Sequence, residues 1–567
     1  MKRWTEIFRK FCGNKLYLVM LALTATGSYG FLITHQTVGI DDTPYAYYFE
    51  EGLVAIVGRW VLFLLNKVIH ISDFSPFLMD FAGVLILMAA ATAWSILLYS
   101  VLRNKLPMWG YVFFACFLIA NPLLSEVFTY YLHNGVAIGY LCSALSLICF
   151  REGLLRLAER RKGEKNVFIK IALPFGGAAV FLWIAIGCYE SFMMVWLLGV
   201  LLVLLTERII GLCRGVFASL GIAALVAAAG MVLRSIMIVL VTRGFGLEYL
   251  QGEAVQRSLT EMVSWMFEPG ARAEFHMVLK RIFVMYGVFA YAYYPIFIFV
   301  MAAAVMLCFA VVRSIQKKDL WIMILTIGCF VASFLLIVIE GKATLYRSAQ
   351  FLPVICAYGA ALLAYASYNF GIGLCRGDRT ILPDRVRRGV NGVLIAVLSV
   401  LLFNQCSDMN RWFYVDYLKY EDAKNTMNQI AYELEKSFDI SKPVIFTGTY
   451  ELPEGIVEEA YVKYNTPTFY KMKRLADKVD SQLLEKYNRE YGVWVAQTPA
   501  LSVLDWGRYA FDSDAELVRF FSMHGHTLQP LMDISLYEEA EIYSLDLPKF
   551  PAEGSIVDRG EYIIVHF

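Results

Sequence analysis

Residues 16–33 read Leu-Tyr-Leu-Val-Met-Leu-Ala-Leu-Thr-Ala-Thr-Gly-Ser-Tyr-Gly-Phe-Leu-Ile, and shortly after them comes Gly39-Ile-Asp-Asp-Thr-Pro-Tyr45. The first stretch carries no charge and is long enough to cross a bilayer, since roughly 20 apolar residues span the hydrocarbon core. Basic residues (Lys2, Arg3, Arg9, Lys10 and Lys15) precede it, which predicts that the amino end stays in the cytoplasm. The stretch is too long for a removable signal peptide and lacks a small-residue cleavage site, so it reads as a retained helix. Asp41 and Asp42 then emerge at the far surface of the membrane. Two adjacent carboxylates repel, and beside lipid they are costly unless something uses them.

Composition agrees with a membrane protein. Of 567 residues, 59% are hydrophobic and 17% charged, with a mean hydropathy of +0.56. A soluble domain of this size could not hide so much apolar surface. The net charge of +1 conceals a split, because from Cys406 onward there are 27 acidic against 16 basic residues. The bases elsewhere cluster in short loops between apolar runs, as topology signals do, and leave no nucleic-acid footprint. The 11 cysteines are scattered, mostly within apolar runs, with no CxxC spacing; neither disulfides nor zinc are expected.

Further apolar runs lie at 77–102, 108–120, 136–150, 168–187, 192–206, 216–241, 282–312, 320–339, 351–370 and 389–403, about 11 spans with the first. The basic loops (Arg103/Lys105, 151–170, Arg208/Arg214, 313–318, 376–388) fall after every second crossing, on the side of the amino end. An odd number of spans puts the acidic tail outside. The expected fold is mostly α: a polytopic membrane helix bundle over 1–405 and an extracytoplasmic α/β domain over 406–567. In the tail a helix is expected at 412–438, strands at 444–448 and 492–496, a helix near 515–523, and a last strand at 562–567. The piece 49–70 reads as an amphipathic segment lying along the interface.

The outer segments hold polar residues that topology does not require. Sugar transfer from a lipid phosphate to a hydroxyl needs a base for the acceptor proton. It needs no acid for the leaving group, since phosphate departs as a stable anion, but it does need cations to hold that phosphate. Asp41/Asp42 with Arg59, Lys342 and Arg347 supply this outfit. Asp41 alone could equally start a turn or cap the interface helix, and Arg59 and Arg347 could be anchors snorkelling to headgroups. Glu126 and Glu190, at outer ends of spans, could bind a sugar, pair with a base or face water. Tyr45, Tyr131 and His133 are further candidates for sugar or acceptor contacts, although outer tyrosines (Tyr130, Tyr131, Tyr291, Tyr293, Tyr294) more often form an aromatic belt. His524-Gly-His526 lies in a turn of the kind that usually binds no metal. Arg234 is the main charge deep within a run.

The order helix, Asp41-Asp-Thr-Pro-Tyr-Ala-Tyr47, Gly58-Arg-Trp60, then Asn121-Pro122 with Glu126 resembles the glucosyltransferase II family, membrane enzymes of bacteria and phages that decorate surface polysaccharide with glucose. The likeness runs over most of the membrane portion. It implies a type C glycosyltransferase-like bundle in the bacterial inner membrane and a polyprenyl-phosphate sugar as donor. The acceptor would be a surface polysaccharide or glycolipid, and the mechanism inverting. By this resemblance Asp42 is the base and Asp41 orients it or binds a divalent metal; Arg59 and Arg347 hold the donor phosphate. Glu190 stands where an amide would be expected.

A transporter or flippase of lipid-linked oligosaccharide is the alternative, but transporters place charge at mid-membrane on broken helices, and here the acids sit at one face. A mere membrane anchor for the tail would not need so many spans.

Overall fold

Asn14 starts the first crossing, its side chain accepting the Tyr17 N–H at 2.9 Å and satisfying one of the unpaired donors of a helix start. The computed structural model describes residues 2–38, 52–56, 58–69, 76–129, 133–159, 167–212, 215–247, 264–286, 294–341, 348–369, 384–448, 453, 455–456, 514–529 and 534–567. Helices α1 (Lys2–Cys12), α2 (Lys15–Thr34), α3 (Gly52–Ile56), α4 (Trp60–Ile69), α5 (Pro76–Leu102), α6 (Met108–Ile119), α7 (Leu123–Phe128), α8 (His133–Ala158) and α9 (Val167–Cys188) make up the first half. There follow α10 (Phe192–Ile210), α11 (Val216–Gly244), α12 (Ala271–Tyr286), α13 (Tyr294–Lys317), α14 (Trp321–Glu340), α15 (Phe351–Tyr368) and α16 (Asp384–Ser437). Among the described residues ten helices are long and apolar enough to cross a membrane: α2, α5, α8 to α11 and α13 to α16. The protein is a multi-pass membrane helix bundle.

The eleventh expected span, 108–120, is the shorter apolar helix α6. Twelve residues rise only about 18 Å, less than the hydrocarbon thickness. Asn121-Pro122 breaks the helix and α7 continues it, since proline lacks an N–H and clashes with the preceding turn. Of the run expected as one span over 282–312, the described parts belong to α12, to Tyr286, and α13, from Tyr294; residues 287–293 lie outside the described residues.

Contacts sort the loops into two ends. At one end Arg3 donates to the Ser100 carbonyl (3.1 Å), Arg156 to that of Lys170 (2.9 Å), and Asn369 to that of Lys105 (2.9 Å). Arg208 pairs there with Asp319 at 3.2 Å. The described parts of the basic loops thus share one end, as the alternation of charge predicts. At the other end Trp265 Nε1 donates to the Ile339 carbonyl (2.9 Å) and Trp412 Nε1 to Thr129 Oγ1 (3.0 Å).

α16 runs 54 residues, about 80 Å, from the basic end through the bundle and out beyond it. Neither glycine nor proline interrupts 404–437, so the span and the helix expected as separate elements are one, continuous across Cys406. Its last turns meet a small sheet of β1 (Val444–Thr447), β2 (Ile556–Asp558) and β3 (Ile563–His566), with β3 central, parallel to β1 and antiparallel to β2. Alternate residues of the strands face opposite ways. Val444, Phe446, Ile563 and Val565 pack with Met427 and Leu434 of α16 and Phe520 and Phe521 of α17 (Asp514–Met523). Ile445 and Ile564 pack with Tyr537 and Ala540 of α18 (Ile534–Ser544). Gly448 ends β1 at φ +81°, and a Cβ there would lie 2.1 Å from the Phe567 carbonyl oxygen. His526 Nδ1 meets Glu435 at 2.8 Å. The expected strand at 492–496 lies outside the described residues.

Candidate active site

The segment after α2 is broken between α3 and α4 by Gly58, whose φ of +86° suits glycine far better than other residues. The break lets the Arg59 N–H bond the Val54 carbonyl (3.0 Å). It also sets the Arg59 guanidinium over the Tyr189 ring, 4.3 Å from its centroid. This is a cation–π contact. Next to it the Trp60 and Trp183 rings stack at 4.6 Å with an interplanar angle of 27°. Gly187 makes room for them: a Cβ there would meet Trp60 Nε1 at 2.3 Å.

Tyr189 belongs to the tight turn from α9 to α10, and its hydroxyl lies 3.4 Å from Ser348 Oγ. The following residue, Glu190, pairs with Arg234 of α11 at 3.6 Å. Residues 216 to 234 of α11 rise about 27 Å, close to the thickness of a bilayer core. Arg234 therefore sits level with the α9–α10 turn at the end opposite the basic loops. Arg234 lies within the 29-residue apolar helix α11, and its partner Glu190 belongs to that turn.

The cluster is rich in donors. Arg59 Nε, Trp60 Nε1, Trp183 Nε1, Arg234 Nε and Ser191 Oγ are all buried without a hydrogen-bond partner among the described residues. Buried N–H groups are rarely left so. Four can only donate, and two belong to arginines, of which Arg234 meets Glu190 and Arg59 lies on the Tyr189 ring. Such a site fits a ligand that offers several anionic oxygens.

A second polar patch lies deeper, where α6 breaks. Asn121 is fully buried; its Oδ1 accepts the Leu123 N–H (3.1 Å), while its Nδ2 has no partner among the described residues. Gln350, also fully buried, has neither amide atom bonded among them. Its carbonyl accepts from Tyr140 Oη at 2.5 Å. Gln350 follows Ser348 by two residues, so the patch adjoins the Tyr189 turn. Glu126 stands half-buried on α7 beyond the break.

Of the residues expected from sequence, Arg59 and Glu190 are thus brought to one turn, with Glu126 at the same end. Asp41, Asp42, Tyr45, Tyr131, Lys342 and Arg347 lie outside the described residues, as does the side chain of His133. The acid loop is nevertheless bracketed. On one side Val38 is buried against Ala423 and Met427 of α16; on the other α3 leads into Arg59. Sequence reasoning missed Trp60, Trp183, Tyr189 and Gln350 as site residues and Arg234 as the partner of Glu190.

A crystal structure of ArnT from Cupriavidus metallidurans bound to undecaprenyl phosphate is similar at 13% identity over 80% of this chain and 84% of that one, with a TM-score of 0.30. No curated protein matches the sequence. The model of the family Glucosyl transferase GtrII matches residues 30–364, more than half of the chain and nearly all of the membrane bundle, and the protein belongs to that family of membrane glycosyltransferases.

Proposed function

We propose that this glycosyltransferase moves a sugar, glucose by its family, from a polyprenyl-phosphate donor to a cell-surface polysaccharide or glycolipid. It works at the outer face of a bacterial inner membrane. The basic end of the bundle then faces the cytoplasm with the amino terminus, and residues 406–567 form an extracytoplasmic domain that guides the acceptor. The observation that carries this reading is the donor-rich, cationic turn at Arg59 and Tyr189, at the end where the acid loop leaves α2. A lipid-borne phosphate supplies the oxygens that those donors lack.

In the reaction Asp42 takes the proton of the acceptor hydroxyl as its oxygen attacks the anomeric carbon. The bond from that carbon to the phosphate oxygen breaks on the opposite face, which inverts the configuration, and the electron pair stays on the phosphate. Asp41 keeps Asp42 oriented. Arg59, with Lys342 and Arg347, holds the phosphate as its charge grows. Glu126, Tyr45, Tyr131 and His133 line the sugar and acceptor side, with Glu190 at the border between sugar and phosphate.

The purified protein in nanodiscs, given polyprenyl-phosphate glucose and surface glycan from the producing cells, should release polyprenyl phosphate and extend the glycan. Asp42→Asn should reduce this by a factor of about 10³ or more, as expected for a lost base together with misplaced nucleophile activation, with unchanged membrane insertion. Undiminished transfer by that variant would refute the base assignment.

A further inference from the structure

The Glu190–Arg234 pair is unlike a finished salt bridge. Its 3.6 Å separation exceeds the roughly 2.7–2.9 Å of a charge-assisted hydrogen bond, so the two groups attract without sharing a proton. Their surroundings differ. The Glu190 side chain is 42% exposed and that of Arg234 only 16%. The carboxylate can swing into water while the guanidinium stays, with Nε already lacking a partner among the described residues. A guanidinium offers five N–H groups in a planar fork suited to two oxygens of one phosphate, and this one is neutralised but not saturated.

Its position also says from where a ligand would come. Arg234 sits between Leu233, Ile236 and Leu240, which are exposed on the outer side of α11, and the Glu190 turn on the inner side. α11 is among the least covered of the crossing helices, with 17% of its apolar stretch buried in the bundle, so its outer side meets lipid acyl chains. A phosphate carried on a long isoprenoid chain can reach Arg234 by moving along that side; a water-borne sugar gains nothing from it.

We propose that Arg234 is a second binding residue for the phosphate of the lipid-linked donor, and that Glu190 is its counter-ion, displaced when the phosphate arrives. The inference rests on the polyprenyl-phosphate reading above. Charge gives the exchange a catalytic use. A sugar phosphodiester carries one negative charge, whereas the lipid monophosphate left behind carries nearly two at neutral pH. A cation released from Glu190 therefore stabilises the departing group more than the bound donor, and this difference accelerates transfer.

Binding of undecaprenyl phosphate to the full-length protein in phosphatidylcholine nanodiscs tests this, with undecaprenol and phosphatidylglycerol as comparison lipids. Glu190→Gln removes the competing charge and should tighten undecaprenyl phosphate binding about fivefold, and Arg234→Gln should weaken it about tenfold. Arg234→Lys should keep part of it. In the Arg234→Gln background, Glu190→Gln should have no further effect. Undecaprenol binding should be indifferent to all variants. Folding is checked by the melting temperature, and Glu190→Gln, an isosteric change at a half-exposed position, provides an arm in which affinity is expected to rise. Wild-type binding with unchanged or weaker binding by Glu190→Gln overturns the exchange and leaves the donor reading standing. Equal competition by phosphatidylglycerol overturns it too, by making the site a general headgroup contact. Absence of wild-type binding overturns both.

Discussion

The Thr37 hydroxyl donates a hydrogen bond of 3.1 Å to Asp416 Oδ2, across 379 positions of the chain. Thr37 lies just ahead of the acid loop, and Asp416 is buried on α16 where that helix leaves the bundle. Val38 beside it is buried among α16 and the carboxyl-terminal domain. One turn back His35 stacks on Phe31 at 4.0 Å and meets Tyr417 edge-on at 5.0 Å. The chain is thus fixed to α16 three residues before Asp41.

Thr37→Val should therefore lower sugar transfer several-fold while costing only about 1 kcal/mol of stability, the usual net worth of one hydrogen bond. Transfer rate and thermal unfolding in the same nanodiscs separate the two effects. A variant that transfers at the wild-type rate would show that this anchor does not reach the acids.

Arg59 does two things that lysine cannot do together: it stacks on Tyr189 and presents a planar fork. Arg59→Lys is expected to lower kcat/KM about tenfold and Arg59→Ala about a hundredfold, with melting temperatures near wild type. Lysine restoring full activity would mean that only charge matters at this position.

Gly187→Ala should damage the same site through packing. The added methyl would press on a stacked indole pair of which Trp60 is buried, a case of overpacking that costs about 1–3 kcal/mol. A lower melting temperature, a shift in tryptophan emission from Trp60 and Trp183, and reduced transfer should appear together. Loss of none of these would place the indoles elsewhere.

The carboxyl-terminal sheet should loosen in acid. Burial of the His566 imidazole beside Thr447, with Lys549 adding to the effect, holds its pKa below the ordinary histidine value. The unfolded chain then binds the proton more readily than the folded one. Stability contributed by neutral His566 is present above the ordinary pKa and is lost as pH falls from there toward the lowered value. Protection of 563–567 against hydrogen exchange, taken relative to the intrinsic rate at each pH, should fall between pH 7.5 and 5.5, and His566→Gln should flatten that dependence; a slope unchanged by the substitution would assign it to another group.

Most of the bundle was legible because each crossing is a local property: a charge-free run of sufficient length with basic residues at alternate ends. The break at Asn121-Pro122 was visible as a motif, yet its effect was not. Only packing shows that the Asn121 side chain is fully buried there. In the tail, Val444–Thr447 and the last strand could be recognised by their β-branched runs. The continuity of α16 could not, since a change from apolar to amphipathic pattern looks like a boundary between elements.

The sequence by itself determined that the chain is a many-span membrane protein, that its basic loops share one end, and that an acid pair leaves the first crossing at the other. Lipid imposes this, because backbone groups in hydrocarbon must be satisfied within each helix and charges must stay at the surfaces. Only the tertiary structure decided that Arg59 rests on Tyr189, that Glu190 faces Arg234, and that Thr37 is tied to Asp416. These pairs join distant helices whose registers are set by side-chain packing, and no periodicity within one helix encodes which residue of another it will meet.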